Sequence, residues 1–353
     1  MANIRQKTNK RQDFIVHLLE NDGDFQISHI LRGVSENIEA ASKMTINRDL
    51  EKLMGLGLVS RVGKGRAVHY RLSEHFHMIK HIPVEAYFQS GPDQRSAKQT
   101  FNSHVFSFLK NIFTDEEKRR LRNLHKEYQN NVSRLSPSVI KKEMERLMIE
   151  FSWKSSQIEG NTYTLLETEA LLKEKQEARG HKKEEALMLL GHKKALDFVW
   201  EHPKEFQTIS TKKIEHLHSL ITEGLGISQN IRRSLVGITG TAYKPLDNEW
   251  QIKEALDKTC ELINQEKDAF TKSLIASVMI AYIQPFEDGN KRTARILGNA
   301  LLLAGNACPL SYRSASESDY KKAVLLFFEQ NNASYYKQLF MDQYEFAVKN
   351  YFR

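Results

Sequence analysis

Two cysteines in 353 residues, Cys260 and Cys308, are all the thiol chemistry in this sequence. They stand in apolar helical contexts without metal-ligand spacing. That excludes a disulfide framework or a cysteine-held metal, and the expectation is two buried free thiols in a reducing cytoplasm. No apolar run approaches the roughly twenty residues that cross a bilayer. The first residues lead into charge without the apolar stretch of an export signal, so a cytoplasmic chain with no membrane partner is expected. A Gly-x-x-x-x-Gly-Lys-Ser/Thr run is also missing, which argues against a P-loop NTPase.

What is present is ample length and a surplus of positive charge. With 40% hydrophobic residues the chain can bury the cores of two or three domains. Its 52 Lys+Arg against 44 Asp+Glu leave a formal charge of +8. That balance favours an anionic partner such as nucleotide or nucleic acid, and it speaks to association rather than to fold.

Residues 1–75 read as a small α+β domain. Phe14, Ile15, Leu18 and Leu19 recur at helical spacing, and Ile27, Ile30 and Leu31 follow a break at Asn21, Asp22, Gly23 and Asp24. Ile46, Leu50 and Leu53 mark a third helix, which Gly55 and Gly57 end. Residues 59–62 and 67–72 then alternate as two strands around Gly63, Lys64, Gly65 and Arg66, with Val68, Tyr70 and Leu72 on one face and His69 and Arg71 on the other. Together with Thr45, Arg48, Asp49, Leu58 and the glycines, this pattern resembles winged helix-turn-helix DNA-binding domains. The resemblance implies DNA as a partner, with Lys43, Thr45, Asn47 and Arg48 opening a recognition helix and Arg61, Lys64 and Arg66 reaching phosphates from the wing. A protein-interaction or dimerisation domain with a solvated charged face is the other reading of the same charges.

Residues 76–113 contain Pro83, Gly91, Pro92 and many polar residues without a sustained period, and read as a linker running into the next domain. From 114 to 353 the pattern is almost wholly helical. Thr114 and Glu117 have the form of a capping box; Leu121, Leu124 and Tyr128 follow, and Ile140, Met144, Leu147, Met148 and Phe151 make a further stripe. Residues 235–243 are the exception, where Val236 and Ile238 alternate, Gly237 and Gly240 interrupt, and a short hairpin is expected. The fold class expected is mostly α, a helical-bundle core with a short β-hairpin flap, preceded by the small α+β domain.

Residues 284–295 read Gln-Pro-Phe-Glu-Asp-Gly-Asn-Lys-Arg-Thr-Ala-Arg. An apolar helix over 276–283 should stop at Pro285, and a second over 290–303 should start just after Gly289. The loop therefore feeds into a helix N-terminus, where free N–H groups and the helix dipole favour phosphate. Gly289 permits a tight turn and close approach of a ligand. Arg292 and Arg295 fall on one helix face, so both guanidinium groups can address one polyphosphate.

This segment resembles the signature of the Fic family, and the resemblance extends over about residues 85–345. It implies AMP transfer from ATP to a protein hydroxyl. Asp288 would hold Mg²⁺; Asn290 and the neighbouring amides of Gly289 and Lys291 would hold the α- and β-phosphates; Arg292 would support the β-phosphate and Arg295 the γ-phosphate. Phe286 would face the core. Lys291 stands where many members have glycine. Val236, Ile238, Gly240 and Tyr243 would belong to a flap that docks an unidentified target protein by strand addition. A homodimer is compatible with the resemblance.

Ser155, Glu159 and Gly160 fit the Ser-x-x-x-Glu-Gly inhibitory pattern of autoinhibited members of that family, in the class whose inhibitory helix precedes the core. The implied pairing is Glu159 with Arg295, blocking the γ-phosphate. At the first signature position, where the family carries a general-base histidine, this chain has Gln284. An amide can orient a hydroxyl but cannot take its proton, and loss of a positioned base costs about 10²- to 10⁴-fold. His192, His216 and His218 offer no evident replacement. The function expected is an ATP-binding protein of the adenylyltransferase type, autoinhibited and impaired; the alternative is a DNA-binding regulator whose non-catalytic core senses nucleotide or a partner.

Overall fold

The computed structural model describes residues 8–109 and 112–353. The chain divides into two compact units, Met1–Ile82 and Pro83–Arg353. No helix among the described residues is long and apolar enough to cross a membrane.

The first unit opens with α1 (Lys10–Asp22), α2 (Ile27–Asn37) and α3 (Lys43–Gly55). Asn9 caps α1 in a reciprocal box with Gln12, and Ser42 caps α3 by accepting from the Thr45 N–H at 3.1 Å. Strands β1 (Val59–Val62) and β2 (His69–Leu72) pair antiparallel, Val59 opposite Leu72 and Val62 opposite His69. The second strand is shorter than its alternation suggests because Gly65–Ala67 form a 3₁₀ turn. Ile15, Leu19, Ile30, Val34, Ile46, Leu50, Leu53, Tyr70 and Leu72 share one core. Asp49 is buried beneath α3, paired with Arg11 and accepting from Gln12 Nε2 at 2.7 Å, so its desolvation is compensated. Lys43, Asn47 and Arg48 on α3, and Arg61, Lys64 and Arg66 on the strand and turn, all stand exposed, while Thr45 is half-buried.

Residues 76–113, expected as a linker and entry segment, divide between the units. Phe76 of α4 (Glu74–Ile79) lies in the first core. After the short α5 (Val84–Tyr87), the chain is pinned to the second unit by isolated side chains, which is why it shows no period. Buried Arg95 pairs with buried Glu329 at 2.6 Å, and the Asn102 N–H donates to the Tyr282 hydroxyl at 2.9 Å.

The rest of the second unit is helical: α6 (Asp115–Val132), α7 (Pro137–Ile158), α8 (Leu165–Glu174), α9 (Lys183–Glu201), α10 (Thr211–Thr222), α11 (Glu249–Gln265), α12 (Ala269–Ile283), α13 (Asn290–Ala304), α14 (Glu317–Gln330) and α15 (Ser334–Asn350). The mostly helical fold agrees with the sequence periods. Thr114 and Glu117 form the capping box of α6. Every residue of α12 from Ser273 to Ile283 is buried, as expected of a helix apolar on all sides. It packs on α11, α14 and α15 and most extensively on α13. The close approach of α12 and α13 requires Gly298, where a Cβ would lie 2.6 Å from Ser277 Oγ. Cys260 and Cys308 are buried free thiols.

The hairpin expected over 235–243 does not form. The segment is extended with a turn at Thr239 and Gly240, and its neighbourhood carries only an isolated parallel bridge between Thr100 and Lys244. Val236 and Ile238 are half-buried between exposed neighbours without a ladder, and all four residues from Val236 to Thr239 line a cavity.

Candidate functional site

The site grows from the turn between α12 and α13. Helix α12 ends on Gln284, which takes the left-handed conformation at φ 52°, and Pro285 prevents continuation. Helix α13 begins after Gly289, also left-handed at φ 81°, where a Cβ would press within 3.2 Å of Thr222 and 3.3 Å of His218. Glycine is therefore required twice over, by backbone and by space. Because Gly289 brings no capping side chain, the first-turn N–H groups of α13 face outward without a side-chain partner.

The loop is held from inside. Phe286 is fully buried and stacks on His218 with centroids 3.7 Å apart. His218 Nε2–H donates to the Asp288 carbonyl at 2.9 Å; burial, with Arg292 nearby, holds this imidazole down to about 4, so it is neutral near pH 7. Buried Arg232 donates to the Gln284 carbonyl at 2.6 Å and to Ser234 O at 2.9 Å, while its own N–H donates to Pro285 O at 3.0 Å. It also bonds the Leu246 carbonyl, so one guanidinium ties both ends of the cavity-lining segment to the loop.

The Asn290 side chain is used inside the loop. Its Oδ1 accepts from the Phe286 N–H at 2.8 Å, and its Nδ2 donates to Phe286 O at 2.8 Å and Gln284 Oε1 at 3.0 Å. With that amide spent closing the turn, the group of Asn290 left for any ligand is its backbone N–H. Gln284 is equally committed, since its Nε2 donates to the Ala281 carbonyl at 2.6 Å.

Along α13 the two arginines have different fates. Arg292 is buried at 2% exposure, donates from Nη2 to Asp288 Oδ2 at 3.0 Å, and has no partner on Nη1, an unusual state for a buried guanidinium. Arg295 is fully buried and saturated. Its Nη1 meets Glu159 Oε1 at 3.0 Å, Nε donates to Ser155 Oγ at 2.9 Å, Nη2 donates to Ser155 O at 2.8 Å, and the ring of Tyr320 lies 4.8 Å away. Glu159 caps the C-terminus of α7, and Gly160 follows at φ 95°. Its second oxygen meets Lys291 Nζ at 2.7 Å. The carboxylate is thus shared, one oxygen on Arg295 and the other on Lys291. Burial pushes the Glu159 carboxyl up, but Arg295 and Lys291 outweigh it and hold the group at about 2.

Behind Ser155 lies buried His192. Its Nδ1–H donates to Met188 O at 2.8 Å, leaving Nε2 to accept from the Ser155 hydroxyl at 2.9 Å. Burial and the field of Arg292 hold it near 3, so it is neutral. Arg295, Ser155 and His192 thus form one directed chain. Sequence reasoning weighed His192 and His218 only as substitute bases; their structural roles, and those of Arg232 and Tyr320, left no local signature.

In front of this framework lies a cavity of about 350 Å³, lined by the loop from Glu287 to Arg292 with Gln284, by Glu159, by the segment from Val236 to Thr239, and by Lys321, Val324, Leu325 and Phe328 of α14; Arg295 lies behind Glu159, outside the lining. That volume is within the size range of ligand sites. Gly240 lies beyond the cavity lining, and Tyr243 is buried, donating from its hydroxyl to Tyr282 O at 2.9 Å as an anchor of the segment. Glu287 lines this cavity and also a neighbouring cleft of about 630 Å³ beside Arg232 and Arg233.

Comparison with known proteins agrees with this geometry. The Fic/DOC family profile matches residues 208–302. Protein adenylyltransferase fic-1 of Caenorhabditis elegans is 27% identical over 172 residues, 46% of this chain and 33% of that protein. Protein adenylyltransferase Fic of Nematostella vectensis is 27% identical over 192 residues, 51% of this chain and 43% of that protein. The chain thus spans less than half the length of these curated relatives. Among solved structures, a segment of Fic-1 from C. elegans superposes with a TM-score of 0.59 at 21% identity, covering 66% of this chain and 71% of that one. A Fic domain containing signaling protein from Bacteroides thetaiotaomicron superposes at 0.54 and 19% identity, covering 65% and 92%. The segment that matches the Fic/DOC family, residues 208–302, contains the whole turn between α12 and α13.

Proposed function

We propose that the second unit binds ATP and transfers its AMP moiety to a protein hydroxyl, and that it is held shut by Glu159 and slowed by Gln284. The observation that carries this reading is the contact of Glu159 with Arg295 at 3.0 Å and Lys291 at 2.7 Å, beside helix amides that carry no cap. Cations and amides converging on one cavity suit a polyphosphate. Glu159 occupies the position of its terminal charge. Arg292, with a free buried N–H, supports the middle phosphate.

Asp288 fits a magnesium ion. Its side chain is 68% exposed at the cavity rim, and Mg²⁺ in nucleotide sites takes one or two carboxylates and completes its shell with phosphate and water. When bound, the ion would neutralise charge on the phosphates. The protein's own share is orientation: Arg232 and His218 fix the loop, Arg295 and Arg292 place the phosphates, and the segment from Val236 to Thr239 forms the wall on which a target chain would lie.

Calorimetry with ATP and Mg²⁺ tests the pocket. Glu159→Gly should bind more tightly than the unaltered chain, and Arg295→Ala should not bind. Transfer from α-labelled ATP should rise about 10²- to 10⁴-fold when Gln284→His is added to Glu159→Gly. Equal affinity in all three proteins of the binding series would sink the reading.

For the first unit we infer a winged-helix DNA contact, supported by the exposure of Lys43, Asn47 and Arg48 on α3 and of Arg61, Lys64 and Arg66 near the β1–β2 turn. Full-chain binding to duplex DNA should weaken in Arg48→Ala. A duplex affinity untouched by that change and by Lys64→Ala would remove this role.

A further inference from the structure

Transfer to a hydroxyl needs a proton acceptor, and Gln284 supplies none. Its carboxamide is engaged at both ends, by Ala281 O and Asn290 Nδ2. The histidines behind the loop are buried and line neither side of the cavity: His218 donates to the Asp288 carbonyl and keeps its Nδ1 buried without a partner among the described residues, and His192 is bonded to Met188 O and Ser155. The cavity wall itself carries three carboxylates, Glu159, Glu287 and Asp288. Glu159 is held by Arg295 and Lys291, and Asp288 by Arg292. Glu287 is the carboxylate of the three with no ion pair or hydrogen bond among the described residues. It is exposed, three residues after Gln284 on the same rigid loop, in the wall common to the cavity and to the wider cleft beside it.

We propose that Glu287 is a catalytic carboxylate of this site, accepting the proton of the target hydroxyl. The inference rests on the adenylyl-transfer reading above. The hydroxyl oxygen forms its bond to the α-phosphorus, the bond from that phosphorus to the bridging oxygen breaks, and pyrophosphate leaves. The hydroxyl proton passes to a Glu287 carboxylate oxygen and then to water. A carboxylate is adequate here because phosphoryl-type transfer proceeds through a loose transition state, and protein kinases use an aspartate in the same task. The position of Glu287 between the two cavities places it where a protein segment entering from the cleft meets a nucleotide bound at the loop.

The full-length chain carrying Glu159→Gly is the starting protein, with α-labelled ATP and Mg²⁺ as probe, label transfer to protein as one readout and calorimetric ATP affinity as the other. Adding Glu287→Gln should leave ATP affinity within about twofold and lower transfer by about 10²-fold or more, Glu287→Asp should keep part of the transfer, and Gln284→His should restore it. Transfer unchanged by Glu287→Gln overturns the proposal, as does ATP binding without any transfer in Glu159→Gly; in both cases the nucleotide site stands. Loss of ATP affinity in Glu287→Gln also overturns it, by making the residue a metal or nucleotide ligand. If Glu159→Gly binds no ATP, the reading of the site fails first and takes this inference with it.

Discussion

The two ends of the cavity are locked by different physics. At the far end, Arg295, Lys291 and Glu159 form a charged knot, and every polar atom of the buried guanidinium has a partner. At the near end, Gln284, Asn290 and Arg232 are joined by neutral amides and carbonyls around a left-handed backbone. A charged knot fails when one member is removed, because the remaining charges are stranded in low dielectric. An amide network holds its shape and lacks reactivity. On the proposed reading, a competing anion such as a phosphate would release the first lock, and the second fixes a geometry that the ligand would leave in place.

The sharpest way to break that comparison is to remove the buried cation. Arg295→Ala should lower stability by roughly 3–5 kcal/mol, measured by denaturant unfolding of the full chain, because it leaves Glu159 with only the partly exposed Lys291 and removes the donors to the Ser155 hydroxyl oxygen and carbonyl. A loss below about 1 kcal/mol would show that Ser155 and His192 hold the pocket without the charge. The contrast would then be one of geometry alone.

Legibility followed the range of each interaction. The turn from α12 into α13 could be read from a few adjacent residues because Pro285 and Gly289 act on their own backbone. The mostly helical fold was legible from apolar periods. The closure of the Asn290 amide onto the Phe286 peptide was not read in advance, because an internal use of an amide and an outward one look alike in sequence. Arg232 was missed because its acceptors lie at Gln284, Ser234 and Leu246, a set that no local pattern encodes. The false hairpin shows the converse: alternation reports two unlike faces, here half-buried Val236 and Ile238 between exposed neighbours, and says nothing of whether a second strand pairs with them. The nearness of Glu159 to Arg295 was foreseen through a family resemblance, and the part played by Lys291 was not.

The pH dependence of stability separates the groups by window. His192 and His218 sit at about 3 and about 4, and Glu159 at about 2, all below their ordinary values of 6.5 and 4.5. A group depressed in the folded state contributes stability above its unfolded pKa and loses it as pH falls toward the folded value. The histidines should therefore erode stability from about pH 6.5 down to 4 and 3, and Glu159 from about 4.5 down to 2. Unfolding midpoints across that range should show His192→Gln flattening the upper part and Glu159→Gln the lower. One curve for both variants would mean that His192 and Glu159, joined through Ser155 and Arg295, titrate as a unit.

The smallest effect belongs to Lys291. Its amine lies as close to Glu159 as Arg295 does, but its side chain is 31% exposed and that of Arg295 is fully buried. Solvent screens the first contact and not the second, so Lys291→Ala should change stability by less than about 1 kcal/mol. Glu159 would stay on Arg295, and ATP affinity should remain far below that of Glu159→Gly. If calorimetry instead shows Lys291→Ala binding ATP as tightly as Glu159→Gly, the exposed half of the knot is what keeps the site closed, because the carboxylate would then leave Arg295 once a single screened cation is gone.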